Sequence, residues 1–173
     1  MTKRIVSAID NINDWVGKIF CWCTLALVLT GAYDSIMRYA FRQPTIWAYE
    51  TSCMLGGTII VMGWGYVLLK KQHVRVDIFY TRFSDRQKAI LDFVCSLFLF
   101  FPIITLLIYV SYQWMWQAWV KHEIMRETYW YPPAGPFKTV VVVGLCLFLL
   151  QGIAEAIVDF YSIIKKPISK EGR

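Results

Sequence analysis

Charge is what this sequence has least of. Only 17% of its 173 residues are Asp, Glu, Lys or Arg, where a soluble domain carries roughly a quarter. Transport or catalysis within a membrane needs ionisable groups at mid-depth. None is present here: Asp34, Arg38, Glu50, Asp92, Glu155 and Asp159 all fall within about two helical turns of the end of an apolar tract. That placement argues against a small proton-driven exporter. Catalytic signatures are missing too. There is no Gly-rich phosphate loop, no paired carboxylates and no Ser or Cys nucleophile beside a base at a recognisable spacing. The chain is therefore expected not to be an enzyme.

Histidine is scarce, with two in the chain. His73 follows the second apolar tract and His122 the third, at opposite ends of a membrane-spanning layout. They are too far apart to hold a haem between helices. The five cysteines, Cys21, Cys23, Cys53, Cys95 and Cys146, lie inside apolar tracts, where cysteine acts as a small hydrophobe. Residues two apart on a helix point to different faces, so the Cys21 and Cys23 pair does not make a metal site. No cofactor is expected in this chain.

Apolar residues are abundant, at 57% of the sequence. They gather in four tracts, at about 15–37, 47–69, 89–119 and 137–159, each near or above the ~20 residues that cross a ~30 Å hydrocarbon core. The fold class follows: an all-α polytopic protein with four transmembrane helices, expected as a single membrane domain over 1–173. Ahead of the first tract, Ile5, Ile9, Ile12, Val16 and Ile19 recur at helical spacing. They predict an amphipathic N-terminal helical extension running into the first span. Lys3 and Arg4 precede an apolar run as in a secretory signal, but Asp10 and Asp14 intervene and no small-residue cleavage pattern follows. An uncleaved anchor is expected.

Basic residues set the orientation. With the N-terminus inside, the inner segments hold Lys3, Arg4 and Lys18, then Lys70, Lys71, Arg75, Arg82, Arg86 and Lys88, then Lys165, Lys166, Lys170 and Arg173. Only Arg38, Arg42, Lys121, Arg126 and Lys138 are left for the outer side. Both termini are expected in the cytoplasm. The net charge of +6 then concerns membrane lipid and topology, and no nucleic-acid partner is implied. Tyr33, Tyr39, Trp47, Tyr49, Trp114, Trp116, Trp119, Trp130 and Tyr131 gather near the outer surface as an interfacial belt.

Small residues mark where helices approach closely. Gly56 and Gly63 are seven apart on one face of the second span, with Gly57 and Gly65 beside them, and Gly152 and Ala156 are four apart in the fourth. Gly56, Gly63 and Trp47 are candidate contacts with another membrane protein; internal packing is the alternative for the glycines. Pro102 should kink the third span. Ser84 with Gln87 forms a capping-box pattern that starts that helix at Asp85. Between the first two spans the chain turns at Pro44, and two arginines lie close to Asp34 and Glu50. Charges so near hydrocarbon are costly unless paired, and Arg38 with Glu50 is the expected ion pair.

The run Arg38, Tyr39, Phe41, Pro44, Trp47 and Glu50, followed after the second span by His73-Val74-Arg75-Val76-Asp77, resembles the small membrane subunit of tripartite ATP-independent periplasmic (TRAP) transporters. Trp130, Pro132, Pro133, Pro136 and Lys138 before the fourth span, and Leu150-Gln151-Gly152 within it, extend the likeness over nearly the whole chain. One departure is Thr51, where that family often has a second acid after the position of Glu50. The resemblance implies a bacterial inner-membrane subunit that scaffolds a large elevator-type subunit. A periplasmic solute-binding protein would deliver an organic anion, and a sodium gradient would drive uptake through the large subunit. It also implies a cytoplasmic loop motif at His73, Arg75 and Asp77. A membrane anchor of a quinone-linked redox complex is the alternative.

Overall fold

A computed structural model describes residues 2–70 and 85–164 of the chain. The described residues form five α-helices: α1 Thr2–Tyr39, α2 Ala48–Leu69, α3 Asp85–Cys95, α4 Phe101–Val120 and α5 Ala134–Ile164. A π-helical turn, Ser96–Phe100, joins α3 to α4, so these two form one long third helix. Among the described residues four stretches are long and apolar enough to cross a membrane: Arg4–Tyr39, Ala48–Leu69, Phe93–Val120 and Ala134–Tyr161. The chain is a polytopic, all-helical membrane protein.

The helices form a row. α2 packs along α1 on one side and α5 on the other, and α5 packs in turn on α3 and α4. α1 meets α5 over a shorter stretch, and it shares no substantial contact with α4. α1 and the third helix thus lie on opposite sides of the α2 and α5 pair, and most of the large apolar side chains, such as Trp22, Leu29, Leu106 and Trp114, face outward. Apolar surface facing lipid carries no penalty, so burial here is governed by close fit and by polar groups.

Close fit comes from glycine. A methyl group added at Gly144 of α5 would lie 3.0 Å from the backbone carbonyl carbon and oxygen of Val61. The two helices are therefore in backbone contact at that level. At Gly17 of α1 an added Cβ would lie 2.5 Å from Tyr66 Cγ of α2. Gly57 faces Phe137 and Gly65 faces Asn13. These four glycines pack internally.

The amphipathic N-terminal stretch is helical and continuous with the first span, giving α1 38 residues and a length of about 57 Å at 1.5 Å per residue. Its isoleucine stripe is not the packing face. Ile5, Ile12 and Ile19 are exposed, whereas Val6 and Asn13 are buried. The inward seam runs through Val6, Asn13, Phe20, Leu27 and Asp34, seven residues apart, each less exposed than the residue before it. This 3.5-residue period is the repeat that keeps two helices facing each other. In a membrane the polar positions turn toward protein and the isoleucines toward lipid.

The third helix is described from Asp85 onward, and the capping pattern expected at Ser84 lies outside the described residues. Pro102 acts one turn earlier than a simple kink. Lacking an N–H, it cannot continue the 4-residue ladder, and the turn before it widens so that Phe101 N–H bonds to the Ser96 carbonyl. The result is a π bulge at Ser96–Phe100.

Candidate functional site

At the end of the row that is outer by the charge count, two connections fold over the helix ends. In the first, Asp34 is the organiser. Its carboxylate accepts from the backbone N–H of Thr45 at 3.3 Å, from the Thr45 hydroxyl, and from Arg38 at 2.9 Å. Tyr33 stacks on Trp47 with ring centroids 5.8 Å apart, fixing the entry to α2. Arg42 takes a left-handed conformation with φ 54°, which completes the turn after α1.

The second connection, residues 121–133, is a built cap. His122 is left-handed at φ 48°, and Glu123 N–H returns to the Ala118 carbonyl at 2.9 Å, the pattern that ends a helix without orphan carbonyls. Met125 N–H bonds to Pro132 O and Ala134 N–H to Glu123 O, both at 2.9 Å. Lys138 reaches Glu123 at 2.6 Å and lies 5.0 Å over the Trp114 ring. Trp119 donates to Thr139 at 3.0 Å. The cap is thus held by several independent ties between its two ends and the helices it joins.

Glu50 connects this cap to α2. Its side chain is buried, and Oε1 accepts the Thr128 N–H at 2.8 Å. The pairing expected from the sequence, Arg38 with Glu50, is not formed. Asp34 stands one turn before Arg38 on the same helix and captures it without ordering a loop, whereas the first turn of α2 carries Glu50 under the 121–133 connection. The two carboxylates do different work. Glu50→Ala is expected to destabilise the chain by about 1 to 3 kcal/mol, since the Thr128 N–H loses its acceptor, and to open the 121–133 segment to protease. Arg38→Ala removes an exposed pair and should change stability by less than ~1 kcal/mol. A double-mutant cycle in thermal unfolding should find the two effects additive; coupling above ~0.5 kcal/mol would mean the pair exists after all.

The other expected contact residues fall on an open face. A Cβ at Gly56 or Gly63 would meet nothing within 4 Å. Both point away from α1 and α5, in a stripe with exposed Tyr49, Cys53 and Ile60 at spacings of four and three. Trp47 is 38% exposed at the outer end of the same helix. His73, Arg75 and Asp77 lie outside the described residues. Among the described residues no group of three His, Cys, Asp or Glu converges as a metal site.

At the opposite, inner end the structure shows a feature the sequence reading missed. Asn13 of α1 and Gln151 of α5 are fully buried and bond side chain to side chain at 2.9 Å. Gln151 Nε2 continues to Asp10 Oδ1 at 3.0 Å, and Asn13 Nδ2 also reaches the Ile9 carbonyl at 3.2 Å. Asn13 Oδ1 faces Gly65 of α2, where an added Cβ would collide with it. Below it, Asp14 binds Lys18 on its own helix and Lys70 of α2 at 3.3 Å. Three helices are tied by polar contacts at one level. The available signal was two carboxamides, Asn13 just ahead of the first apolar tract and Gln151 within the fourth.

The layout of four membrane-crossing helices agrees with a family model described as tripartite ATP-independent periplasmic transporters, DctQ component, which matches residues 27–161. The chain belongs to the DctQ family. It is thus a small membrane component of a TRAP transporter. No curated protein matches the sequence. The DctQ match takes in the Asp34 turn, Glu50, the cap and Gln151, and begins after Asp10 and Asn13. The inner polar lock therefore joins a matched helix to a segment outside the match.

Proposed function

We propose that this DctQ-family chain is a non-catalytic scaffold that holds the large, elevator-type TRAP subunit during sodium-coupled uptake of an organic anion delivered by a periplasmic receptor. The open face of α2 carries this reading. Gly56 and Gly63 leave a shallow seat in a helix that is otherwise hemmed in on both sides, and small residues on a free face let another membrane helix approach to backbone distance. A moving subunit needs a partner that does not move, and a row stitched at both ends by polar ties suits that role.

Gly56→Leu and Gly63→Leu fill the seat without touching the rest of the chain. Each is expected to lower co-purification of the large subunit by roughly tenfold or more, equivalent to about 1.4 kcal/mol, with the chain itself still inserted and helical. Unchanged yield of the complex with both substitutions would remove α2 from the interface. Uptake by this chain expressed alone would overturn the scaffold itself. In the same reading the chain resides in the inner membrane with both termini in the cytoplasm. Reporter fusions at Arg173 and near Thr128 should then report opposite sides, and a periplasmic C-terminus would reverse the assignment.

A further inference from the structure

The tip of the outer connection hangs on one bond. Its base is well tied: Glu123 N–H bonds to Ala118 O, Ala134 N–H to Glu123 O and, at the neck, Met125 N–H to Pro132 O, all at 2.9 Å. Beyond that neck, residues 126–131 form a loop whose side chains are exposed except that of Thr128, which is half-buried. Thr128 N–H donates to Glu50 Oε1 at 2.8 Å. Its hydroxyl adds no second tie to a helix, because it accepts the Trp130 N–H within the loop at 3.3 Å. Among the described residues no other hydrogen bond or ion pair joins this loop to a helix.

The acceptor of that bond is a carboxylate short of donors. Glu50 is 1% exposed, and its Oε2 is buried with no hydrogen-bond partner. Among the described residues no cation pairs with it. Buried charges are ordinarily paired and hydrogen-bonded on both sides, since one N–H does not replace the water that an ion gives up. Closing the loop over Glu50 therefore costs solvation that opening it returns. The backbone pulls the same way. Tyr131, beside the neck, is left-handed at φ 51°, a conformation that strains a bulky residue. Strain of this kind gathers at segments that switch.

We propose that residues 126–131 are a latch over Glu50, closed when Thr128 bonds the carboxylate and open when the loop swings about the Met125 and Pro132 neck and presents Glu50 to water at the outer end of α2. The two states lie close in free energy, because the single bond that favours closure is set against an under-partnered charge and a strained residue. Neck and base keep their own backbone bonds in both states, so the helices need not move. Amide hydrogen exchange of the full-length, 15N-labelled chain in detergent, resolved by residue, tests this. Corrected for intrinsic rates, the Thr128 amide should exchange at least ~10-fold faster than those of Met125 and Ala134, since it opens locally while they do not. Glu50→Gln keeps an acceptor for Thr128 and removes the charge, and a neutral amide costs less to bury; protection at Thr128 should rise several-fold. Tyr131→Asn, a residue better suited to the left-handed region, should raise it too. A fixed anchor requires the reverse of glutamine, because a charge-assisted bond would give way to a weaker neutral one. Lower Thr128 protection in Glu50→Gln, or wild-type Thr128 exchange as slow as that of Met125 and Ala134, would overturn the latch.

Discussion

Replacing Gly144 by leucine is expected to part α2 from α5 and to produce the largest loss of stability of any single substitution in the chain. The position has no room to yield. Most crowded glycines here face the far end of a side chain, which can rotate away, but a Cβ at Gly144 meets Val61 backbone at 3.0 Å as well as its Cγ1. Accommodating it means moving a helix. Overpacking of a well-fitted site generally costs about 1 to 3 kcal/mol, occasionally more, and Gly144→Ala should already fall in that range, with leucine beyond it. Loss should be visible in the seam itself, where Trp64 of α2 and Phe148 of α5 have ring centroids 5.7 Å apart. Thermal unfolding in detergent, followed by tryptophan emission, would show a lower midpoint and a red shift from Trp64. A wild-type midpoint for Gly144→Leu would mean that α2 and α5 are not in backbone contact.

The second large effect belongs to the inner polar lock. Gln151→Leu removes the bonds that Gln151 makes to Asn13 and to the Asp10 carboxylate, leaving Asn13 only the Ile9 carbonyl of its own helix. Buried groups left without a partner lose about 1 to 3 kcal/mol. Side-chain hydrogen bonds between membrane helices have measured closer to ~0.6 kcal/mol on average, with a maximum near ~1.7. A loss of about 1 to 2 kcal/mol is therefore expected, larger than for an isolated bond because two interhelical bonds are lost. Gly65 supplies a sharper test. Its added Cβ collides with Asn13 Oδ1, while the next contact, Leu147 O at 3.6 Å, is ordinary. Gly65→Ala should thus destabilise the wild-type chain and be close to neutral in an Asn13→Ala background. Equal damage in both backgrounds would place the strain elsewhere.

The sequence made the spans legible because hydropathy is a summed property of many residues, and no single one decides it. The arrangement of spans was not. Whether helices close into a bundle or stand in a row depends on which faces meet, and in lipid those faces are marked by absent side chains, such as those of Gly17 and Gly144, more than by apolar ones. Arg38 shows the same limit on a smaller scale. Two acids, Asp34 and Glu50, were near enough in sequence to pair with it, and the choice was made by the roll of α2 beneath a connection more than seventy residues further along the chain. Gly56 and Gly63 were legible as small but not as free, since the same spacing on a helix serves an inner contact and an outer one. Asn13 and Gln151 lie 138 residues apart, and nothing local links them.

A row in which α1 neighbours α2 and the third helix neighbours α5 is made of two hairpins of consecutive spans. Each hairpin can close as soon as its own second helix leaves the ribosome, because its contacts are between segments adjacent in the chain and loop closure is short. The α2 to α5 seam, the Gln151 bonds to Asn13 and Asp10, and the Glu50 bond to the Thr128 N–H join one hairpin to the other and must wait for the second. Biogenesis is thereby divided into two early, local events and one late joining step. The glycine of the seam and the carboxamides of the lock are where the finished molecule differs from its two nascent halves.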